Sequence, residues 1–405
     1  MDSALISPAQ TTIMGLPAAV LYTILSVVGI TLFGYLIHQR LMPLRKAAPD
    51  RRLNHWADRV LRLLKYWLLQ RRHPRYLAAG VLHILLFSGF LILALRTFEM
   101  ILVGILPDFV LPAMSGVLGR IYGVVHAYAA TWVLAVALIA MVRRGIVRPA
   151  RYAVPAKYGK DHTGEALFVL GLIATLMISE SLFEGSLAAA GFQKGMQSGF
   201  GAPFTLAWAF GHSLSSVSLQ TLQAVHSSAY FVHDASFFFF LCFLPLGKHF
   251  HVVTSLFNVF FMRLRAGTVK PVRYDVDDAH LDDLESFGVR RLEDFTWKHI
   301  LDFYSCADCG RCSDNCPAHA AGRPLSPRFI SIKGRNLTFA AYPVNPFKPP
   351  GVDQPLMGGV YEADEIWSCT TCGACEQECP LGIEYIDKIV DLRRGMVDDG
   401  AVPQS

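Results

Sequence analysis

The sequence predicts an all-α protein in which a five-helix transmembrane bundle precedes a small, cysteine-rich helical domain. Of its 405 residues, 53% are hydrophobic and only 17% are charged, and the mean hydropathy is +0.36. Such a composition requires an unusually large core or a membrane domain. Eight of the nine cysteines fall in two short runs near the C-terminus. We therefore expect a membrane domain at residues 1–262, a linker at 263–300 and the cysteine-rich domain at 301–405.

Five apolar runs are long enough to cross a bilayer. The predicted spans cover residues 14–37, 76–95, 117–142, 165–188 and 219–246. Basic loops, at residues 40–75 and 143–160, follow the first and third spans. By the positive-inside rule these loops are cytoplasmic. We therefore expect a multi-pass protein of the inner (cytoplasmic) membrane, with its N-terminus outside and its cysteine-rich domain in the cytoplasm.

Apolar residues recur at helical spacing inside the first basic loop. They include Leu53, Trp56, Val60, Leu64 and Trp67. This pattern favours an amphipathic helix at the membrane interface over a solvated basic linker. The basic loops could dock either an acidic partner protein or anionic membrane lipid.

The two cysteine runs share the spacing C-x2-C-x2-C-x3-C-P, over residues 306–317 and 369–380. Bacterial ferredoxins hold [4Fe–4S] clusters with this spacing, and in two-cluster forms the fourth cysteine of each run ligates the other cluster. Zinc sites are usually built from separated C-x2-C pairs, and disulfides need an oxidising compartment. We therefore predict a ferredoxin-type domain with two [4Fe–4S] clusters. The predicted ligands are Cys306, Cys309, Cys312 and Cys379 for one cluster, and Cys369, Cys372, Cys375 and Cys316 for the other.

Histidines lie on or beside the predicted spans, where ionisable residues usually serve a function. They are His83, His126, His226, His233 and His251. On a continuous helix, His233 and His251 would share one face at a separation of ~27 Å, which suits two stacked haems. A kink at Pro245 would break this relationship.

Depth along the helices suggests which histidines pair around a haem iron. His126 lies ~26 Å from Arg143, and His233 lies ~22 Å from Lys248, if both segments are helical. The match predicts a His126–His233 pair, with His226 as an alternative.

Several motifs carry a resemblance to known families. Residues 245–251, Pro-Leu-Gly-Lys-His-Phe-His, are similar to the end of the last helix in the cytochrome b gamma subunit of respiratory nitrate reductases and in the membrane subunit of heterodisulfide reductase. The segments 287–297 and 364–372 resemble the membrane-bound iron–sulfur family that includes electron-transfer flavoprotein:menaquinone oxidoreductases. The likeness covers about residues 14–396.

The resemblance implies a nitrate reductase gamma-like bundle that holds haem b. It implies one haem between His83 and His251. His73 matches His251 better in depth but precedes a proline in a basic loop. The family's partner for His233 falls where this sequence has Leu93, so a second haem needs His126.

The resemblance also implies a function: respiratory electron transfer between a cytoplasmic electron-transfer flavoprotein and the menaquinone or quinone pool. Longer family members continue into Cys-Cys-Gly domains, and this sequence ends without one, so a separate Cys-Cys-Gly-domain subunit is the other expected partner. We thus expect a quinone-linked oxidoreductase or an electron-transfer subunit of one. The alternatives are transfer from quinol to a disulfide or sulfur acceptor, and a redox sensor or anchor without turnover. No dinucleotide-binding motif is present, and no nucleic-acid partner is expected.

Overall fold

The computed structural model describes residues 4–13, 15–107, 109–112, 116–155, 158, 161–196, 199–349, 351 and 354–401. Met14, at the start of the first predicted span, and Lys157 and Lys160 of the second basic loop lie outside these residues. A short antiparallel pair, β1 (Thr12–Ile13) and β2 (Leu16–Pro17), precedes the first helix.

The α-helices account for most of the described chain. They are α1 (Ala18–Lys46), α2 (Trp56–Leu63), α3 (Leu77–Ile105), α4 (Val117–Val142), α5 (Thr163–Gln193), α6 (Leu206–Ser213), α7 (Leu219–Phe243), α8 (His251–Phe260), α9 (Trp297–Ser305), α10 (Arg311–Asp314), α11 (Pro317–Ala320), α12 (Pro327–Ala341), α13 (Ala363–Trp367), α14 (Ala374–Glu378) and α15 (Ile386–Asp398). Five of them, α1, α3, α4, α5 and α7, belong to segments long and apolar enough to cross a membrane. The predicted fold class, five membrane helices and a helical iron–sulfur region, is confirmed.

Several membrane helices extend beyond the apolar runs that predicted them, and α1 and α3 do so by the most. α1 continues to Lys46 and α3 to Ile105. Charged residues end an apolar run without ending a helix, because Arg, Lys and Glu are good helix formers. In α3 the first charge, Arg96, pairs with Glu99 across 2.7 Å on the same helix. Hydropathy therefore located these helices but not their ends.

The chain divides into two compact units. The first unit comprises Met1–Phe33, Tyr76–Pro149 and Asp161–Phe243; the second comprises Gly34–Arg75, Ala150–Lys160 and Leu244–Ser405. The sequence-based domain limits at residues 262 and 300 remain predictions.

In the first unit, Tyr230 of α7 lies at the centre of one part of the core. Its hydroxyl donates a hydrogen bond to the Met100 carbonyl oxygen at 2.7 Å, and its ring meets the edge of Tyr22 at 4.7 Å. Gly104 makes this packing possible, since a Cβ there would lie 2.0 Å from the Tyr230 hydroxyl. The side chain thus ties α7 to α3 without leaving its hydroxyl unsatisfied.

In the second unit, one hydrophobic core supports the cysteine runs. Phe303 of α9 is fully buried, and its ring meets Phe295 at 5.3 Å in an edge-to-face arrangement. Cys306, Cys312 and Cys379 are buried in the same core. The cysteines therefore stand on a packed scaffold rather than on a free loop.

The chain is not continuously helical between His233 and His251. α7 ends at Phe243, and Gly247 has an extended backbone between two 3₁₀ turns before α8 begins. Pro245 lies in the first of these turns, where its missing N–H removes a helical hydrogen bond. The condition for placing both histidines on one helix face is therefore not met.

Candidate functional site

The two cysteine runs have the same backbone form. Asp308 and Thr371 occupy the same position in each run, with φ of 58° and 54°, and Gly310 and Gly373 follow with φ of 79° and 76°. Two left-handed residues in such close succession wind each loop tightly. At Gly310 a side chain is also excluded by space, since a Cβ would lie 2.4 Å from the Arg151 carbonyl oxygen.

Three cysteines lie around Cys312 and form a set of four with it. Burial, followed by the neighbouring thiols of Cys309, Cys306 and Cys379, raises the pKa of the Cys312 thiol well above its usual value. Three of these residues belong to the first run, and Cys379 is the fourth cysteine of the second. Burial and the thiol of Cys309 likewise raise the pKa of Cys379 to about 11.

The remaining four cysteines form the other set. Cys316, the fourth cysteine of the first run, lines one cavity together with Cys369, Cys372 and Cys375 of the second run. Burial raises the pKa of Cys375, and the charges of Glu376, Cys369 and Cys316 add to that effect. Cys372 is exposed, whereas Cys316 is buried.

The donor chemistry of both sets fits an iron–sulfur cluster. All nine cysteines are free thiols, so no disulfide competes for these sulfurs. Each set offers four sulfur donors, which is the ligand number of a [4Fe–4S] cube. Each set also combines three cysteines of one run with the fourth of the other.

Three arginines that the sequence analysis did not single out hold the cysteine backbone. Arg335 of α12 donates to the carbonyl oxygen of Cys306 at 2.9 Å. The carbonyl of Cys379 accepts from Arg72 at 2.6 Å, and that of Cys369 accepts from Arg393 at 2.5 Å. These guanidinium groups place positive charge beside both cysteine sets. No spacing rule in the sequence marks them, because they come from three separate segments.

His251 has one ring nitrogen engaged by the backbone. Its Nδ1 lies 2.8 Å from the carbonyl oxygen of Lys248. Burial lowers the pKa of His251 to about 4, and the charges of His249 and Lys248 act in the same direction. A neutral imidazole whose Nδ1–H is held by a carbonyl is the usual form of a metal-ligating histidine.

His233 has the same arrangement in the first unit. Its Nδ1 lies 3.2 Å from the carbonyl oxygen of Leu176 and 3.4 Å from Ser179 Oγ. Its Nε2 is buried without a hydrogen-bond partner. His226 is held similarly, with Nδ1 2.9 Å from the Phe183 carbonyl oxygen. Of the two, His233 fits an axial haem ligand better, because its Nε2 is buried, has no hydrogen-bond partner and could therefore bind iron.

His126 has different surroundings. Its Nε2 lies 3.3 Å from Glu184 Oε1, and its Nδ1 lies 3.9 Å from Glu180 Oε1. The Glu184 carboxylate beside Nε2 competes with iron ligation at that nitrogen, whereas Nδ1 is buried without a hydrogen-bond partner. No backbone carbonyl among the described residues is seen to orient the His126 ring as one orients His233, so His126 fits a haem less well. The His126–His233 pair stays a prediction.

The carboxylates near His126 belong to a charged group that the sequence analysis missed. Arg96 of α3 lies 2.7 Å from Glu99, 3.0 Å from Glu184 and 3.7 Å from Glu180. Ligand atoms of His126, Glu180 and Glu184 lie within 4.8 Å of one another, as in a metal site. The guanidinium of Arg96 already approaches these carboxylates and would repel a metal cation.

The remaining candidate histidines are His83 and His73. His83 is at an exposed position of α3. His73 is buried in a 3₁₀ turn, and its carbonyl oxygen accepts from Arg311 at 3.1 Å. Burial, together with the charge of Arg311, lowers the pKa of His73 to about 4.

Comparison with known proteins agrees with these features. Residues 305–383 match the family of 4Fe-4S dicluster domains. The EtfAB:quinone oxidoreductase of Syntrophomonas wolfei is 29% identical over 383 residues, which cover 85% of this chain and 50% of that protein. The probable iron-sulfur-binding oxidoreductase FadF of Bacillus subtilis is 27% identical over 414 residues, 94% of this chain and 56% of that protein.

A third relative matches over a shorter stretch. An iron-sulfur subunit of the CoB--CoM heterodisulfide reductase of Methanopyrus kandleri is 29% identical over 117 residues, 29% of this chain and 51% of that protein. The chain spans about half the length of these curated relatives. No solved structure matches it. The chain therefore combines five helices long and apolar enough to cross a membrane with a region that matches 4Fe-4S dicluster domains, and its homologues include proteins named EtfAB:quinone oxidoreductase, FadF and heterodisulfide reductase subunits.

Proposed function

We propose that this protein carries electrons between a cytoplasmic redox protein and the quinone pool, through two [4Fe–4S] clusters and haem b. The crosswise division of the cysteines is the observation that carries the proposal. Cys316 lies with the second run, and Cys379 lies with the first. Because each loop would then ligate both clusters, the clusters would be adjacent. Adjacent clusters suit a conduit for single electrons.

The protein's own groups would set the properties of this conduit. Burial of Cys312 and Cys379 excludes water from the first set. Arg335, Arg72 and Arg393 fix the loops and offset negative charge on the thiolates. Such burial and charge are among the factors that set the potential of an iron–sulfur cluster.

The histidines support a haem-bearing membrane bundle. We assign His251 and His233 as axial ligands, with His83 and His126 as their respective predicted partners. The backbone carbonyls that hold Nδ1 of His251 and His233 would fix the ring orientations. When bound, haem b supplies one-electron transfer within the bilayer.

The charged group near Arg96 supports a quinone-linked role. It lies on α3, α4 and α5, which belong to segments apolar enough to cross a membrane. Ionisable groups inside such helices commonly mark substrate or proton pathways. Reduction of a quinone to a quinol takes two electrons and two protons, so such a site needs polar groups within the membrane.

We propose a cytoplasmic location for the iron–sulfur domain and an external N-terminus, because the basic loops follow the first and third spans. The name of the relative EtfAB:quinone oxidoreductase supports an electron-transfer flavoprotein as the donor. A Cys-Cys-Gly-domain subunit is the other candidate partner.

Reconstitution tests this function. The purified chain is placed in menaquinone-containing liposomes with an electron-transfer flavoprotein that an acyl-CoA dehydrogenase reduces. We expect menaquinol to form and the haem spectrum to change only when the flavoprotein is present. The matched control is Cys375→Ser, which should abolish electron transfer without removing the membrane domain. Turnover of a small organic substrate without any protein donor would contradict the proposal.

A second candidate function is transfer from quinol to a disulfide acceptor. The similarity to a heterodisulfide reductase iron-sulfur subunit favours it. The same liposomes, loaded with menaquinol and given a Cys-Cys-Gly protein and a disulfide, distinguish the two directions. A sensor or anchor would show no quinol-dependent haem reduction in either arrangement.

A further inference from the structure

A groove lined by basic residues lies within the second compact unit. This basic groove has an open volume of about 700 Å³ between residues 51–66 and residues 263–274. Eight of its lining residues are Arg or Lys, and Asp58 is the one carboxylate among the described lining residues. The groove is therefore strongly electropositive.

Half of these cations are neutralised by the protein itself. The four that form ion pairs with carboxylates are Arg51, Arg52, Arg263 and Lys270. The four that form no ion pair within the described part of the chain are Arg59, Arg62, Lys65 and Arg265. Set against Asp58, they leave a net excess of three positive charges, which exceeds the charge of a single phosphodiester.

Arg59 shows that this charge is built into the groove wall. Its side chain is only 3% exposed. The guanidinium donates to the carbonyl oxygens of Asn54 and Met262 at 2.7 and 3.2 Å, and to Asn54 Oδ1 at 2.9 Å. All of these acceptors are neutral. A buried guanidinium held by neutral acceptors is costly, and a bound anion offsets that cost.

One wall of the groove comes from the segment that connects two candidate membrane spans. α2 lies in the connection between α1, which ends at Lys46, and α3, which begins at Leu77. Both belong to candidate membrane spans, so the connection starts and ends at the same face of the bilayer.

Exposed apolar side chains accompany the basic ones. Leu61 lines the groove and is 63% exposed, while Leu53 and Trp56 are 69% and 57% exposed. Basic and apolar side chains in and beside one short helix are typical of segments that lie in the lipid interface. An acidic protein would match the charge but would leave these apolar side chains without a suitable contact.

We propose that the basic groove binds the headgroup of an anionic phospholipid with two phosphates, such as cardiolipin. Arg62, Lys65 and Arg265 contact the phosphates, while the buried charge of Arg59 adds to the positive potential behind them. The acyl chains lie against the apolar side chains around Leu61. Basic pockets beside membrane helices are suited to this headgroup. The proposal concerns lipid binding alone and does not depend on the redox partner.

Native mass spectrometry of the purified protein in detergent tests the assignment, with cardiolipin, phosphatidylethanolamine and inorganic phosphate as probes. We expect cardiolipin adducts on the wild type. Arg62→Gln with Arg265→Gln should weaken them about tenfold or more, because each basic residue near the headgroup contributes separately. The matched control, Arg120→Gln with Arg148→Gln, removes the same charge from exposed arginines outside the groove and should keep the adducts.

Two further variants guard against a change in folding. Lys65→Gln and Leu61→Ser alter exposed side chains and should each weaken the adducts while the iron and sulfide content stays unchanged. Equal adduct loss in the control pair, or displacement of the lipid by inorganic phosphate at equal concentration, would overturn the proposal. Full retention of the cardiolipin adducts in the groove variants would also overturn it, and loss of electron transfer from the flavoprotein in those same variants would identify the groove as a protein-docking site.

Discussion

The phenolic hydroxyl of Tyr385 donates a hydrogen bond to the Sγ of Cys312 across 3.5 Å. Tyr385 is 1% exposed and directly precedes α15, whereas Cys312 lies on α10 in the first cysteine run. A hydrogen bond to a ligating sulfur is stronger when the cluster carries more negative charge. In a cluster held by Cys312, as we propose, this hydrogen bond would favour the reduced state and raise the reduction potential.

Tyr385→Phe should lower the midpoint potential of one cluster. A hydrogen bond worth about 1 kcal/mol more in the reduced state corresponds to a change of ~40 mV. An EPR-monitored redox titration measures this. Tyr361→Phe is the matched control, since Tyr361 is also buried but donates to the carbonyl oxygen of Ile330. Equal shifts in both variants would mean that the bond to Cys312 has no specific effect.

Replacing the fourth cysteine of a run should damage the cluster ascribed to the other run. Cys316→Ala should give the same residual EPR spectrum as Cys375→Ala, because both residues lie in one set. Cys379→Ala and Cys312→Ala should likewise resemble each other, because both should lose the first cluster and keep only the EPR signal of the second. If Cys316→Ala instead resembles Cys312→Ala, each run holds its own cluster and the crosswise division is wrong.

Haem content should depend on His233 but not on His226. His233 offers a buried, unpartnered Nε2, whereas the ring of His226 stacks on Phe183 at 4.0 Å. His233→Ala should therefore lose pyridine-haemochrome absorbance, and His226→Ala serves as the control on the same helix. Full haem content in His233→Ala would rule out its assignment as a ligand.

Gly288→Ala should destabilise the second unit. A Cβ at Gly288 would lie 1.9 Å from the Gly395 backbone nitrogen, and flexible side chains cannot relieve a clash with backbone atoms. Overpacking of this kind costs roughly 1–3 kcal/mol. Thermal unfolding measured by loss of the cluster absorbance checks this. Gly34→Ala is the matched control, since Gly34 belongs to the same unit, has open space around its Cβ and has no positive φ.

Acid should weaken the second unit through Glu384. Burial disfavours the charged carboxylate, but Lys298 and Arg52 outweigh it and lower the pKa of Glu384 to about 2. Because the pKa in the folded protein lies below the usual value of 4.5, this contribution is present above pH ~4.5 and is lost as the pH falls towards ~2. Unfolding free energy measured between these values should fall, and its slope should be smaller in Glu384→Gln. An unchanged slope would show that other groups cause the acid sensitivity.

Glu384→Gln should also be less stable at neutral pH. The carboxylate accepts from Arg52 at 3.0 and 2.9 Å. Removing one partner of a buried ion pair costs roughly 3–5 kcal/mol. Denaturant unfolding at pH 7 measures this loss. Glu293→Gln is the control, since it removes an exposed carboxylate that accepts a hydrogen bond from Tyr342.

Much of the architecture could be predicted from local patterns. The apolar runs identified the membrane helices, and the doubled cysteine spacing identified the iron–sulfur region. Both signals work because they report short-range physics. A helix must be apolar over a whole bilayer thickness, and three ligands of one cluster must come from a single tight loop.

The tertiary structure decided which distant residues meet. Arg96 lies beside Glu184, and Tyr385 beside Cys312, although neither pair is close in sequence. It also decided that the helix is interrupted around Gly247, so His233 and His251 do not lie on one face of a continuous helix. Contacts between separate helices depend on how those helices pack, and packing is a property of the whole core. A single sequence contains no periodic signal that records it.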